Sequence, residues 1–332
     1  MRAFVTGGTG LLGNNLIRCL LRQGYQVRTL VRAGDESRAY LRGIDVELVN
    51  GDMLDVPAFG PHLQGCDVLF HAAAYLREYF QTGEHWPMLY AVNVQGTLAL
   101  FKQAYERGVR RIIYVSTAGV VGTGPDGRAG DESSGVNMLI DRDLYFRSKV
   151  LAEEGIRSLV DTFPIEVVSI LPGWLFGPHD VGLTTSGRLI TDYMKRRLPG
   201  FTDGGACVVD ARDVALAMIQ AVTRGRAGER YIVAGPYLTF EQVLQALQRV
   251  TGVKPPRVRI PYPLLLAGAF ASEAVSIVTN RPILISRNAV RSIRASLRWS
   301  SEKALRELGV TFRGFDETLS DEIQWFRQYG YI

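Results

Sequence analysis

A short apolar run, Arg2-Ala-Phe-Val-Thr6, stops at the glycine-rich string Thr6-Gly-Gly-Thr-Gly-Leu-Leu-Gly13. Such a run, ended by glycines, reads as a buried parallel strand. Directly after it, Leu16, Ile17, Leu20 and Leu21 recur at helical spacing until Gly24 supplies a stop. The order strand, glycine turn, helix constrains the fold more than any other feature, because it begins a βα unit and therefore a parallel sheet. Gly7, Gly10 and Gly13 let the backbone approach a pyrophosphate, whose charge suits the helix N-terminus. A glycine turn by itself occurs in other α/β proteins; the strand and helix around this one point to a dinucleotide.

The second strand bears on which dinucleotide. Gln26-Val-Arg-Thr-Leu-Val-Arg32 ends on Arg32, and the first carboxylates, Asp35 and Glu36, come beyond it. An acidic residue at the strand end would bind the ribose hydroxyls of NAD, whereas an arginine suits the extra phosphate of NADP. NADP(H) is favoured. NAD(H) is the alternative, in which Arg32 is only a solvated loop charge.

Further apolar runs follow at Val46-Glu-Leu-Val-Asn50, Val68-Leu-Phe-His71, Ile112-Ile-Tyr-Val-Ser116, Ile165-Glu-Val-Val-Ser-Ile-Leu171 and Arg230-Tyr-Ile-Val-Ala234. A helix over 88–107 ends at Gly108, and Val208-Val-Asp-Ala-Arg-Asp-Val-Ala215 opens another. This alternation predicts an α/β fold with a doubly wound parallel Rossmann sheet and a smaller, mainly helical C-terminal substrate lobe. Residues 1–171 form the NAD(P)-binding domain, with 206–235 returning to it; 172–205 and 236–332 form the lobe. Cofactor and substrate belong beyond the carboxyl ends of the strands, where Asp52, His71, Ser116 and Thr117 fall.

Composition narrows the partners. The 332 residues carry a formal charge of only +5, with basic residues in short groups such as Lys195-Arg196-Arg197. That argues against a nucleic-acid protein and fits an anionic cofactor or substrate. Cys19, Cys66 and Cys207 are far apart and read as reduced core thiols of a cytoplasmic protein. No signal peptide precedes the first strand. The most apolar stretch, 264–278, is short for a span and broken by Ser272 and Glu273; it reads as a helix in a pocket wall or subunit contact, and no membrane partner is expected. Four scattered histidines, His62, His71, His85 and His179, give no metal site.

Tyr145-Phe-Arg-Ser-Lys149 places a phenol and an ammonium on one face of a helix. A tyrosine ionises near pH 10, and bringing it to neutrality requires about 4 kcal/mol. A surface ion pair supplies about 1 kcal/mol. Lys149, a cationic nicotinamide and exclusion of water must therefore act together. A hydroxyl at the end of the fifth strand, Ser116 or Thr117, can bind the reacting oxygen.

These motifs resemble the extended short-chain dehydrogenase/reductase superfamily of nucleotide-sugar epimerases and dihydroflavonol-type reductases. The resemblance spans the chain through Thr6-Gly-x-x-Gly-x-x-Gly13, Gly51-Asp52, His71-Ala-Ala-Ala74, Asn93-Val-x-Gly-Thr97, Val115-Ser-Thr117, Tyr145-x-x-x-Lys149, Leu171-Pro-Gly173 and Asp210-x-Arg-Asp-Val-Ala215. It implies that Gly7, Gly10 and Gly13 bind pyrophosphate, that Asp52 meets the adenine, and that Ala72, Ala73 and Ala74 line the nicotinamide ribose side. Thr9, Leu11, Leu12, Met53, Asn93, Pro172, Gly173 and Trp174 join the cofactor set. Tyr145 becomes the acid/base, Lys149 the ribose ligand and Thr117 the catalytic hydroxyl. A homodimer is implied, paired through the 88–107 helix and the one carrying Tyr145.

The chain also departs from the family pattern. Where dehydratases of this kind carry Thr-Asp-Glu, it has Thr117-Ala-Gly119, which argues against elimination. Val121 and Leu171 replace a tyrosine and an arginine, making the entrance more apolar. With Arg32, Trp174 and the 264–269 segment, this points to reduction of a small, moderately apolar ketone or the reverse oxidation. Two alternatives stay open. One is a nucleoside-diphosphate-sugar epimerase with tightly bound cofactor, using Arg188, Arg196 and Arg197 against a diphosphate. The other is a non-catalytic NADP(H)-binding regulator.

Overall fold

The protein is described from a computed structural model covering residues 1–76, 83–124, 128–138, 140–279, 287, 290, 294 and 296–332. Its first half runs β1 (Arg2–Thr6), α1 (Leu11–Arg22), β2 (Gln26–Val31), β3 (Glu47–Asn50), α2 (Val56–Phe59), β4 (Val68–His71), α3 (Trp86–Leu89), α4 (Thr97–Glu106) and β5 (Arg111–Val115). Then come α5 (Leu144–Thr162), β6 (Glu166–Pro172), β7 (Trp174–Phe176), α6 (Thr185–Met194), β8 (Gly205–Asp210), α7 (Ala211–Arg224) and β9 (Arg230–Val233). The chain closes with β10 (Tyr237–Thr239), α8 (Phe240–Thr251), α9 (Tyr262–Thr279) and α10 (Phe315–Gln328).

Seven strands form one parallel sheet in the order β3-β2-β1-β4-β5-β6-β9, a Rossmann-like arrangement. Helices cover both faces, which is why its central strands are apolar without alternation. On one face Leu16, Ile17 and Leu20 of α1 pack with Val214 and Met218 of α7 over Val5, Val68 and Ile113. On the other, Leu100 and Phe101 of α4 and Ala152 and Ile156 of α5 cover Phe4, Leu69 and Ile112. The β9 edge is covered: Glu132 accepts the Ile232 N–H at 2.7 Å, and Ser301 accepts that of Ala234 at 3.0 Å.

Two sequence expectations need correction. The helix predicted to open at Val208 starts at Ala211; Val208 and Val209 belong to β8, which lies between β7 and β10 in a separate three-stranded sheet. Two adjacent β-branched residues favour the strand, and Asp210 caps the helix by accepting the Arg212 N–H at 2.7 Å. The helix predicted over 88–107 is interrupted by a π-turn at Tyr90–Gly96. Gly96 is crowded there: a Cβ would lie 2.7 Å from the Met53 carbonyl oxygen.

A second core joins Phe176, Ile190, Tyr193, Leu244, Leu247, Ile323 and Phe326 from β7, α6, α8 and α10. Glu322 of α10 is fully buried and accepts the Gly177 N–H at 2.7 Å, tying the last helix to the chain beyond β7.

Candidate active site

The glycine turn lies across the ends of β1 and β4. Gly7 has φ +75°, and a Cβ on it would sit 2.7 Å from the Ala72 carbonyl carbon. A Cβ on Gly13 would lie 2.1 Å from the Gly7 oxygen, so the turn closes on the first turn of α1. Gly8, which sequence reasoning passed over, is equally crowded: its Cβ would meet Thr29 Oγ1 at 2.1 Å. Gly10 is roomier, with 3.4 Å to the nearest atom. It serves as N-cap of α1, which has neither a side-chain cap nor an acidic residue in its first turn. A cradle that side chains would fill, opening on uncapped helix N–H groups, fits a dinucleotide pyrophosphate.

Behind the cradle, Thr6 accepts the Ala73 N–H at 3.3 Å and lies 2.7 Å from His71 Nδ1. His71 Nε2 is 2.8 Å from Thr97 Oγ1. Burial, then the Lys149 charge, lowers this imidazole to about 3, so it is a neutral bridge from β1 to α4. That fixes the stretch holding Ala72, Ala73 and Ala74, which are all partly exposed.

Asp143 starts α5 by accepting the N–H groups of Tyr145 (3.0 Å) and Phe146 (3.2 Å). The helix is held to the β4 loop by a chain of side-chain bonds. Ser148 donates to the Tyr145 carbonyl at 2.7 Å and accepts from Asn93 at 3.0 Å, and Asn93 also binds both the N–H and the carbonyl of Tyr75. Asn93 is thus a buried brace, with both amide hydrogens engaged. Gly119 makes room for Phe146, the residue after Tyr145: a Cβ on it would lie 2.3 Å from the Phe146 ring.

Tyr145 is half-buried, and burial followed by the Asp143 charge pushes its phenol above the ordinary value. The protein's own groups therefore hold it protonated at neutral pH. Lys149 is 3% exposed; its Nζ donates to the Val115 carbonyl at 2.8 Å and the Tyr114 hydroxyl at 3.4 Å. Burial lowers this ammonium to about 8, and Glu153 acts in the opposite direction.

Glu153 was absent from the sequence reading, although it stands one turn beyond Lys149 on the same helix. It accepts a short hydrogen bond from the Ser116 hydroxyl and pairs with Arg230 at 3.5 Å. Ser116 is buried, whereas Thr117 is partly exposed and accepts the Gly119 N–H at 3.2 Å. The two candidate hydroxyls therefore have different surroundings.

The remaining residues spread outward. Arg32 is exposed just past β2. Asp35 comes back to the glycine turn, accepting from Thr9 Oγ1 at 3.0 Å. Asp52 accepts the Leu54 N–H at 2.9 Å; Met53 beside it is buried, as are Leu11 and Leu12 at the start of α1. Pro172 ends β6, and a Cβ on Gly173 would lie 2.6 Å from the Cys207 oxygen. Trp174 donates to Thr185 at 3.1 Å, and its ring centroid is 4.7 Å from that of Phe176. Val121 and Leu171 are wholly buried with Ile232 and Cys207, so they do not make the entrance apolar as their sequence positions suggested. No metal-binding cluster occurs among the described residues.

With this geometry in place, the chain can be set beside known proteins. The profile of the NAD dependent epimerase/dehydratase family matches residues 3–234. Sterol demethylase protein B of Methylococcus capsulatus is 33% identical, covering 100% of both chains. A 4-hydroxy-2-methyl-3-oxo-4-farnesyl-3,4-dihydroquinoline-1-oxide ketoreductase of Stigmatella aurantiaca is 29% identical, over 94% of this chain and 92% of its own. Among solved structures, that of gox2253 is 31% identical with TM-score 0.85, covering 99% of each chain.

Proposed function

The chain belongs to the NAD dependent epimerase/dehydratase family, and on that premise we propose that it reduces the ketone of a small, moderately apolar substrate with NADP(H). The observation that carries this reading is the protic inventory at the end of β5. Ser116 gives its hydrogen to Glu153 and Gly119 leaves no room for an acid beside Phe146; the hydroxyls we assign to the carbonyl are those of Thr117 and Tyr145. Elimination would need a second acid or base there. The related ketoreductase and sterol demethylase protein B, by their names, act on apolar molecules. Of the cations that favoured a nucleotide diphosphate, Arg196 and Arg197 are exposed beyond the end of α6, while Arg188 lies within α6 and is partly exposed.

Gly7, Gly8, Gly10 and Gly13 would hold the cofactor pyrophosphate, with Arg32 at the adenosine end and Ala72 to Ala74 near the nicotinamide. When bound, the nicotinamide supplies the hydride. Thr117 donates a hydrogen bond to the carbonyl oxygen and orients it. Tyr145 gives that oxygen its phenolic proton as the carbon is reduced, and a proton from solvent restores the phenol. Lys149, anchored on Val115, offsets the transient phenolate charge. Such proton transfer contributes about 10²–10⁴-fold. The same reading places a homodimer, paired through α4 and α5, in the cytoplasm.

The test is NADPH oxidation across a panel of cyclic and aryl ketones, with Tyr145→Phe as control. Ketone-dependent, stoichiometric oxidation that is lost in Tyr145→Phe supports the proposal. Equal turnover in that variant, or no oxidation with any carbonyl, contradicts it.

A further inference from the structure

Helix α9 carries the 264–269 stretch that the sequence suggested for the substrate side; over 262–275 it lies instead on the surface, and its exposed side has no polar residue. Leu264, Phe270 and Val275 are 65%, 50% and 55% exposed. Ala267, Ala271 and Ala274 are exposed between them, and the one charge in 262–275, Glu273, is paired with Arg287 at 2.6 Å. A helix apolar all round is normally buried, and a contiguous exposed apolar patch marks a partner.

The chain leading into α9 is basic. Lys254, Arg257 and Arg259 are exposed, as is Val258 at 60%. A bridge between Phe201 and Arg259 lays this segment beside the one following α6, where Lys195, Arg196 and Arg197 are also exposed. Backbone bonds fix the contact: Phe201 N–H to the Val258 carbonyl at 2.9 Å and Ile260 N–H to the Phe201 carbonyl at 2.7 Å. Two acids lie nearby, Asp203, which pairs with Arg259, and the partly exposed Asp192 at the end of α6; the six basic residues of the two segments outnumber them. Cations from two separate segments thus gather at the start of an exposed apolar helix.

We propose that this face docks on an anionic lipid surface, with α9 lying in the interface and the basic segments meeting the headgroups. Interfacial binding draws on these two contributions together, buried apolar area and attraction to anionic lipid. A second copy of the chain fits less well. A two-fold contact through α9 would set one basic cluster near its twin, and like charges across an interface oppose association. No described helix is long and apolar enough to cross a membrane, so α9 lies on the surface and does not span it.

The experiment is co-sedimentation of the full chain with sucrose-loaded vesicles of phosphatidylcholine, with and without phosphatidylglycerol. The expected result is binding that requires the anionic lipid and weakens with salt. It should fall about tenfold or more in Lys195→Glu/Arg197→Glu and in Leu264→Asp/Phe270→Asp. Both variants should keep the wild-type unfolding midpoint, since these positions are exposed. Binding that ignores lipid charge overturns the proposal. So does an absence of binding to the anionic vesicles; a dimer that Leu264→Asp dissociates would then give the face to a second copy. A lowered midpoint in the α9 variant also overturns it, by showing the face to be covered.

Discussion

Ser116 donates its hydroxyl hydrogen to Glu153, and this bond separates it from its neighbour Thr117. If Thr117 alone binds the reacting oxygen, Thr117→Ala should lower kcat about 10²–10³-fold, as loss of one such donor does. Ser116→Ala should cost much less in rate and act through Glu153. Steady-state kinetics of the two variants decide the matter; equal losses would mean that the hydroxyls share the task.

Lys149 sets the expected pH dependence. Its ammonium is lowered to about 8, so charge at this position, and kcat with it, should decline as pH rises through about 8. Glu153 holds the charge on, so Glu153→Gln should move that limb to lower pH, whereas Glu153→Asp should move it less. The stability sign follows from the same shift. Between about 8 and the ordinary value of 10.5 the unfolded chain keeps a proton that the folded chain has lost, so this residue makes stability rise with pH across that window. Lys149→Met should remove that contribution, as denaturant titrations at several pH values would show.

The glycines of the opening turn should not be equivalent. Gly13→Ala and Gly8→Ala place a Cβ 2.1 Å from existing atoms, and Gly7→Ala adds a residue with a side chain at φ +75°. These variants should lose cofactor affinity and about 1–3 kcal/mol of stability. Gly10→Ala, with 3.4 Å of clearance, should stay folded. Nucleotide titration and thermal unfolding of the set check the ranking.

Gly119 should be coupled to Phe146. Gly119→Ala forces a Cβ into the ring and displaces the first turn of α5, so kcat should fall although position 119 touches no substrate. Phe146→Ala in the same chain should restore much of it. A double-mutant cycle on kcat that shows no coupling would contradict this packing.

How legible all this was differs by region. The buried parallel strands were readable because an apolar run covered on both faces has no other place to go; Arg2–Thr6 and Val68–His71 match their predicted bounds. The β7-β8-β10 sheet was not, because three short strands far apart in sequence depend on tertiary pairing. Tyr145 and Lys149 stood out by spacing, and the same spacing extended once more reaches Glu153. Gly8 and Gly119 are constrained by Thr29 and Phe146, neighbours that no local pattern supplies. Val121 and Leu171 misled for the opposite reason: their apolar character serves a core.

The central claim is a site that exchanges NADP(H) and uses it in reduction. The most direct measurement is the identity and occupancy of nucleotide released on denaturing the purified protein, followed by titration of the emptied site. The account predicts low occupancy and tighter binding of NADPH than NADH, a preference that Arg32→Asp reverses. Near-stoichiometric, tightly held NAD(+), with Arg32→Asp making no difference, would contradict it and identify an epimerase in its place.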